Sequence, residues 1–295
     1  MERTFDFIGK RHLAYLFSLL LIAGSWFYGA FVKGPKFGID FTGGVLIQVR
    51  ISEEGITTEK LRELFKKSVE SVTVQNIEES NQFLIRVPVT GKDPNEVVTA
   101  IRKELKEKFN GKAEILKVEM IGPTVGKELR EKGIMALIYA LIGIFIYAAW
   151  RFEPIFAAGA IVALIHDTLA TTGLFMVAGR EFSLPVIAAL LTVIGYSIND
   201  TIVVYDRIRE NMKVYLRSKP FEELVNDSIN QTLSRTVITS LTTLFVVLCL
   251  YLFGGGVIND FAFVLLVGIV VGTYSSIFIA SSLIVDWYKY AKKEK

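Results

Sequence analysis

The chain has 295 residues, of which 52% are hydrophobic and only 21% charged; 33 Lys and Arg against 30 Asp and Glu leave a formal net charge of +3. A chain this apolar is not an ordinary soluble domain, and so small a charge excess does not point to nucleic acid. A single cysteine, Cys249, excludes an intrachain disulfide, and two histidines without a Cys/His cluster argue against a structural metal site.

A segment needs about 20 mostly apolar residues to cross the hydrocarbon core. A basic tail, residues 1–11, leads into the first such run at 12–32 (His12–Val32). This run is long for a signal peptide and lacks a small-residue cleavage site, so it is expected to be an uncleaved anchor.

Residues 33–132 are rich in Lys and Glu and read as a soluble insert with the order β-α-β-β-α-β. Val45, Ile47, Val49 and Ile51 alternate with Leu46, Gln48 and Arg50, as in a half-buried strand. A helix is expected over Thr57–Val69, then strands over Val72–Ile77 and Phe83–Val89 joined by a turn at Glu79–Gln82. Asp93, Pro94 and Glu96 form a capping-box start for a second helix, which stops near Asn110–Gly111 before a last strand at Ala113–Ile121. This order predicts a ferredoxin-like α+β domain whose other sheet face presents Leu46, Gln48, Arg50, Leu84 and Arg86.

Residues 133–287 hold five further runs: Gly133–Trp150, Pro154–Ala178, Leu184–Tyr205, Val237–Phe253 and Phe261–Trp287. A tail, 288–295, follows. The fold class expected is therefore a polytopic α-helical membrane protein of six transmembrane helices. Its external ferredoxin-like domain lies between helices 1 and 2. Basic residues crowd the N-terminal tail, the loop 206–235 and the C-terminal tail, which places both termini and that loop on the cytoplasmic side.

Ionisable groups inside apolar runs are costly and usually serve a function or a partner. Asp200 follows Asn199 in the fourth run, flanked on both sides by apolar residues. Desolvation there disfavours the charged form, so the carboxyl suits the uptake and release of a cation. The alternative is a structural hydrogen bond to a neighbouring helix. His166 and Asp167 sit mid-run in the third span and read equally as a relay or as packing contacts. Arg235, at the mouth of the fifth run, reads either as a snorkelling anchor or as a fixed positive partner for an intramembrane carboxylate. Gly268 and Gly272 form a G-x-x-x-G packing face. Gly38, Gly43, Gly44, Gly122 and Gly126 flank the insert at both membrane crossings, as tight turns or as hinges. No H-E-x-x-H, G-x-S-x-G or paired intramembrane aspartates suggest an enzyme.

Several ordered segments together resemble the SecF family, the smaller membrane subunits of the SecDF protein-export accessory complex. They are Phe37-Gly38-Ile39-Asp40-Phe41-Thr42-Gly43-Gly44, Ile121-Gly122-Pro123-Thr124-Val125-Gly126, His166-Asp167, Ile194-Gly195-Tyr196-Ser197-Ile198-Asn199-Asp200-Thr201, Leu233-Ser234-Arg235-Thr236 and Gly272-Thr273-Tyr274-Ser275-Ser276. The resemblance covers nearly the whole chain. It implies a member of the resistance–nodulation–division superfamily in the prokaryotic cytoplasmic membrane, paired with a SecD-like subunit and working beside a SecY-type translocon on translocating polypeptides. It further implies that the proton-motive force drives the work, with Asp200 and Arg235 in the positions of the family's coupling aspartate and arginine. No cofactor is implied beyond a coupling ion, protons or sodium, and the contacts expected outside the complex are membrane lipids, not nucleic acid. The competing readings are a small-molecule or lipid exporter of the same superfamily, and a non-conducting assembly subunit whose polar groups only join helices.

Overall fold

A computed structural model describes residues 4–293 apart from 54, 67, 70, 78–80 and 90–92. Among the described residues, six helices are long and apolar enough to cross a membrane. The first is α1 (Arg11–Phe27), which continues through a π-helical turn, Tyr28–Lys33. The others are α5 (Pro123–Arg151), α6 (Pro154–Val177), α7 (Leu184–Tyr215), α8 (Phe221–Phe253) and α9 (Gly255–Ser275), the last extended by a π-helical turn, Ser276–Ala280, into α10 (Ser281–Lys293). Proline occupies the first turn of α5, α6 and α7, where its missing N–H costs nothing and its fixed φ favours helix entry.

The inserted domain begins after α1 with a short strand β1 (Lys36–Phe37) and a single helical turn α2 (Ile39–Thr42). It then runs β2 (Gly44–Ile51), α3 (Thr58–Phe65), β3 (Thr73–Ile77), β4 (Gln82–Pro88), α4 (Pro94–Phe109) and β5 (Ala113–Ile121). The sheet order β3-β4-β2-β5 is antiparallel at every pair, which is the ferredoxin-like arrangement the element order predicts. Val45, Ile47, Val49 and Ile51 are fully buried under α3 and α4, so the alternation read from β2 holds residue for residue. The opposite face is less open than expected: Leu84 is buried, and Arg86 reaches Gln75 Oε1 at 2.8 Å and Glu181 Oε2 at 3.4 Å.

Some boundaries differ from expectation. Residues 206–235 are not a loop but the ends of α7 and α8 joined by a turn at 216–220. The polar residues there defeat a hydropathy reading, yet both helices continue past the membrane because each buries one face on the other; Ile208 and Ile229 are wholly buried. Likewise α5 begins at Pro123, ten residues before its apolar run, and α10 carries the expected tail as helix to Lys293. Helix α3 stops at Phe65 rather than Val69. Asp93 caps α4 as expected but accepts from Asn95 N at 2.9 Å, with no reach-back by Glu96 among the bonds formed. The turn placed at Glu79–Gln82 lies largely outside the described residues.

Glycine permits the tightest crossings. Gly43 has φ +76°, and a Cβ there would lie 2.7 Å from Pro123 Cα; a Cβ on Gly126 would lie 2.8 Å from Gly43 N. The two ends of the insert thus cross in contact. Gly268 and Gly272 face α7, where a Cβ on Gly272 would lie 2.9 Å from Ser197 Cβ.

Candidate functional site

The apolar core of the bundle is divided in two. One cluster, near the tails, joins Ala160, Ala163, Val204, Ile208 and Ile277; the other, near the inserted domain, joins Phe175, Val186, Val193, Leu265 and Ile269. Between them runs a layer of buried polar side chains: Asp167, Ser197, Asp200, Ser240, Ser275 and Ser276. The sheet-like separation follows from helix periodicity, because Ser197 and Asp200 are three residues apart and share a face of α7.

Asp200 is 4% exposed. Its nearest polar partner is Ser240 of α8, whose Oγ lies 3.4 Å from Oδ2 and 2.7 Å from Thr273 Oγ1 on α9. The carboxyl therefore stands where α7, α8 and α9 meet, with one hydroxyl, Ser240 Oγ, within hydrogen-bond reach. A hydroxyl can donate or accept, so this setting serves a carboxylate and a carboxylic acid alike. Asp167, wholly buried, differs: Ser197 Oγ donates to Oδ2 at 2.5 Å and His166 Nδ1 lies 2.9 Å from Oδ1. Both of its oxygens are engaged, one by its own helix and one across to α7.

The sequence-derived partners are not all assembled. Asn199 and Arg235 are exposed on α7 and α8, and neither forms a hydrogen bond with Asp200 among the described residues. Arg235 lies five residues before Ser240, about 7 Å nearer the tail side along α8, and makes no ion pair among the described residues. An Asp200–Arg235 contact is thus absent from this arrangement. Thr192, Ser234, Thr239 and Thr242 are exposed on the same two helices. Ser240 and Thr273 were missed in the sequence, since isolated hydroxyls in apolar runs commonly bond their own helix, and only the fold shows which ones meet an acid.

Beside the domain, the bundle is tied to the insert. Strand β1 pairs in parallel with β6 (Glu181–Phe182), and Gly38 N donates to Phe182 O at 2.7 Å. Asp40 Oδ2 accepts from Leu184 N at 2.8 Å and so caps α7, the helix that carries Asp200. Arg180 binds Asp260, Asn259 Oδ1 at 2.8 Å and Tyr251 OH at 3.2 Å, with its guanidinium 4.4 Å from the Phe263 ring centroid. Removing one partner of a mostly buried pair leaves the other uncompensated. Arg180→Ala and Asp260→Ala are each expected to cost about 2 kcal/mol, with a coupling energy above ~1 kcal/mol in a double-mutant cycle of detergent unfolding.

Six spans, an inserted ferredoxin-like domain gripping the fourth of them, and an acid enclosed at mid-depth define a multi-pass membrane protein organised around an intramembrane carboxyl. The family models that match are "Protein export membrane protein SecD/SecF, C-terminal" over residues 100–290 and "SecD/SecF GG Motif" over residues 28–54, the latter including Gly43 and Gly44. The protein translocase subunit SecF of Desulfurispirillum indicum is 48% identical over 86% of this chain and 83% of its own length. That of Calditerrivibrio nitroreducens is 49% identical over 96% of this chain and 94% of its own. A crystal structure of SecDF, a translocon-associated membrane protein from Thermus thermophilus, matches with a TM-score of 0.85 and 43% identity, covering 98% of this chain. This chain spans 39% of that longer one. The chain belongs to the SecF family of protein translocase subunits.

Proposed function

We propose that this protein is an accessory subunit of bacterial protein export, seated in the cytoplasmic membrane with its domain outside and both tails inside, and that proton passage at Asp200 drives it. The observation that carries this reading is the enclosed carboxyl itself, mid-span, facing the Ser240 hydroxyl, a group that suits either protonation state. Protonation and release at Asp200 alter what α7 packs against. Asp40, capping the far end of that same helix, passes the displacement to the domain. One charge crossing the membrane potential yields about 2.3 kcal/mol per 100 mV, enough to bias a two-state domain.

The exposed polar stripe on α7 and α8 indicates the partner. Asn199 and Arg235 are too polar to face lipid at that depth, so a second bundle covers them. The relatives in which one chain carries both parts, such as SecDF of Thermus thermophilus, make a SecD-like bundle the natural occupant. In the reading proposed here, the pair works beside a SecY-type translocon on the emerging polypeptide. Arg235→Gln tests it: the variant should still co-purify with the SecD-like chain but lose the energised increment of export in vesicles. Wild-type export by that variant would refute a coupling role for Arg235.

A further inference from the structure

We infer that a groove between α1, α6 and α9 is a phospholipid site, taking one acyl chain of the leaflet on the domain side, with the phosphate at Lys33 and Lys36. The groove has a volume of about 480 Å³ and presents only apolar atoms. Its walls are Leu21 of α1, Ala170 and Leu174 of α6, and Val267 and Val270 of α9, and His166 and Tyr274 line its mid-depth end.

Shape and placement choose the occupant. His166 to Leu174 and Tyr274 to Leu266 each span eight residues, so the groove runs about 12 Å parallel to the helix axes. Its His166–Tyr274 end lies at mid-depth and its Leu174–Leu266 end toward the domain. A slot along the helix axes that presents only apolar atoms fits an extended hydrocarbon chain better than a compact ligand. A cavity of about 150 Å³ already takes a benzene, so the volume suffices for a long aliphatic segment.

The head of such a chain emerges where cations collect. One turn beyond Leu174, Lys33 Nζ donates to Val177 O at 2.6 Å, which fixes the ammonium at the end of α6 and leaves it two further donors. A Cβ on Gly179 would lie 3.3 Å from Lys33 Nζ and 3.8 Å from Lys36 Nζ, so the two lysines converge on one spot. Both are exposed, and neither pairs with a carboxylate among the described residues. Two convergent ammonium groups above an apolar slot match a phosphate on an acyl chain.

The test uses the full chain in lipid nanodiscs with two photoreactive probes bearing the same diazirine acyl chain: a phosphatidylglycerol and a diacylglycerol that lacks phosphate. Mass spectrometry of irradiated protein should place phosphatidylglycerol adducts on the peptides containing Phe17–Leu21 and Val267–Tyr274, roughly ten-fold above the diacylglycerol signal. Lys33→Gln with Lys36→Gln should erase that preference. Val270→Trp, at a lip that is already exposed, should remove groove adducts from both probes while adducts elsewhere on the bundle persist. Equal labelling by the two probes in the wild type overturns the proposal, as does labelling that Val270→Trp leaves unchanged.

Discussion

Asp200→Asn abolishes the part of export that depends on the proton-motive force, while the protein still inserts, folds and binds its SecD-like partner. The side chain keeps its size and can still accept a hydrogen bond from Ser240, so the expected change in stability is below ~1 kcal/mol. What is lost is the ability to change charge. At 100 mV, one charge is worth about 2.3 kcal/mol, or roughly a forty-fold bias between two arrangements of the domain. The measurement is preprotein translocation into inverted vesicles, energised and de-energised: the wild type should show an increment on energisation and the variant none. Asp200→Glu should retain part of the increment, because it still titrates. Export by Asp200→Asn at the energised wild-type rate would leave the chain as a scaffold.

Asp167 should behave in the opposite way. Its two oxygens join α6 to α7 through Ser197 and fix the ring of His166. Asp167→Leu strands both partners in the bundle. Interhelical hydrogen bonds in membranes average only ~0.6 kcal/mol each, because the separated helices find other partners. Here a wholly buried site loses one interhelical bond and one within α6 and leaves both partners unsatisfied, so the cost expected is about 2 kcal/mol, read as a lower unfolding temperature in detergent. Asp167→Asn, which keeps one acceptor for Ser197 and offers His166 an amide, should fold and export nearly as the wild type does. Loss of energised export in Asp167→Asn at unchanged thermal stability would make Asp167 a member of the proton route and not a helix tie.

The contrast between the two acids shows what was legible in the residues and what was not. Depth in the membrane follows from apolar run length, so both aspartates were evident as costly groups with a purpose. Their different surroundings were not evident, because these depend on which faces of α6, α7, α8 and α9 meet. The inserted domain was readable nearly strand by strand, since period-two alternation at Val45–Ile51 directly reports burial. The hairpin joining α7 to α8 was not, because its helices are held by mutual packing with few apolar residues to announce it. Arg235 shows a further limit: the sequence leaves it either an anchor at the mouth of the fifth run or a positive partner for the acid, and only the fold places it, about 7 Å along α8 from Ser240 and without a direct ion pair to Asp200 among the described residues. The grip of Asp40 on Leu184 joins residues 144 positions apart, and no local pattern announces it.

The most direct measurement is proton flux through the SecD-like pair reconstituted with this chain in proteoliposomes, followed with an internal pH indicator after a gradient is imposed. Wild-type vesicles should acidify faster than protein-free ones, and vesicles with Asp200→Asn should match the protein-free rate. Equal acidification by the wild type and the Asn variant would contradict the account, because protons would then be crossing without the acid on which the whole coupling rests.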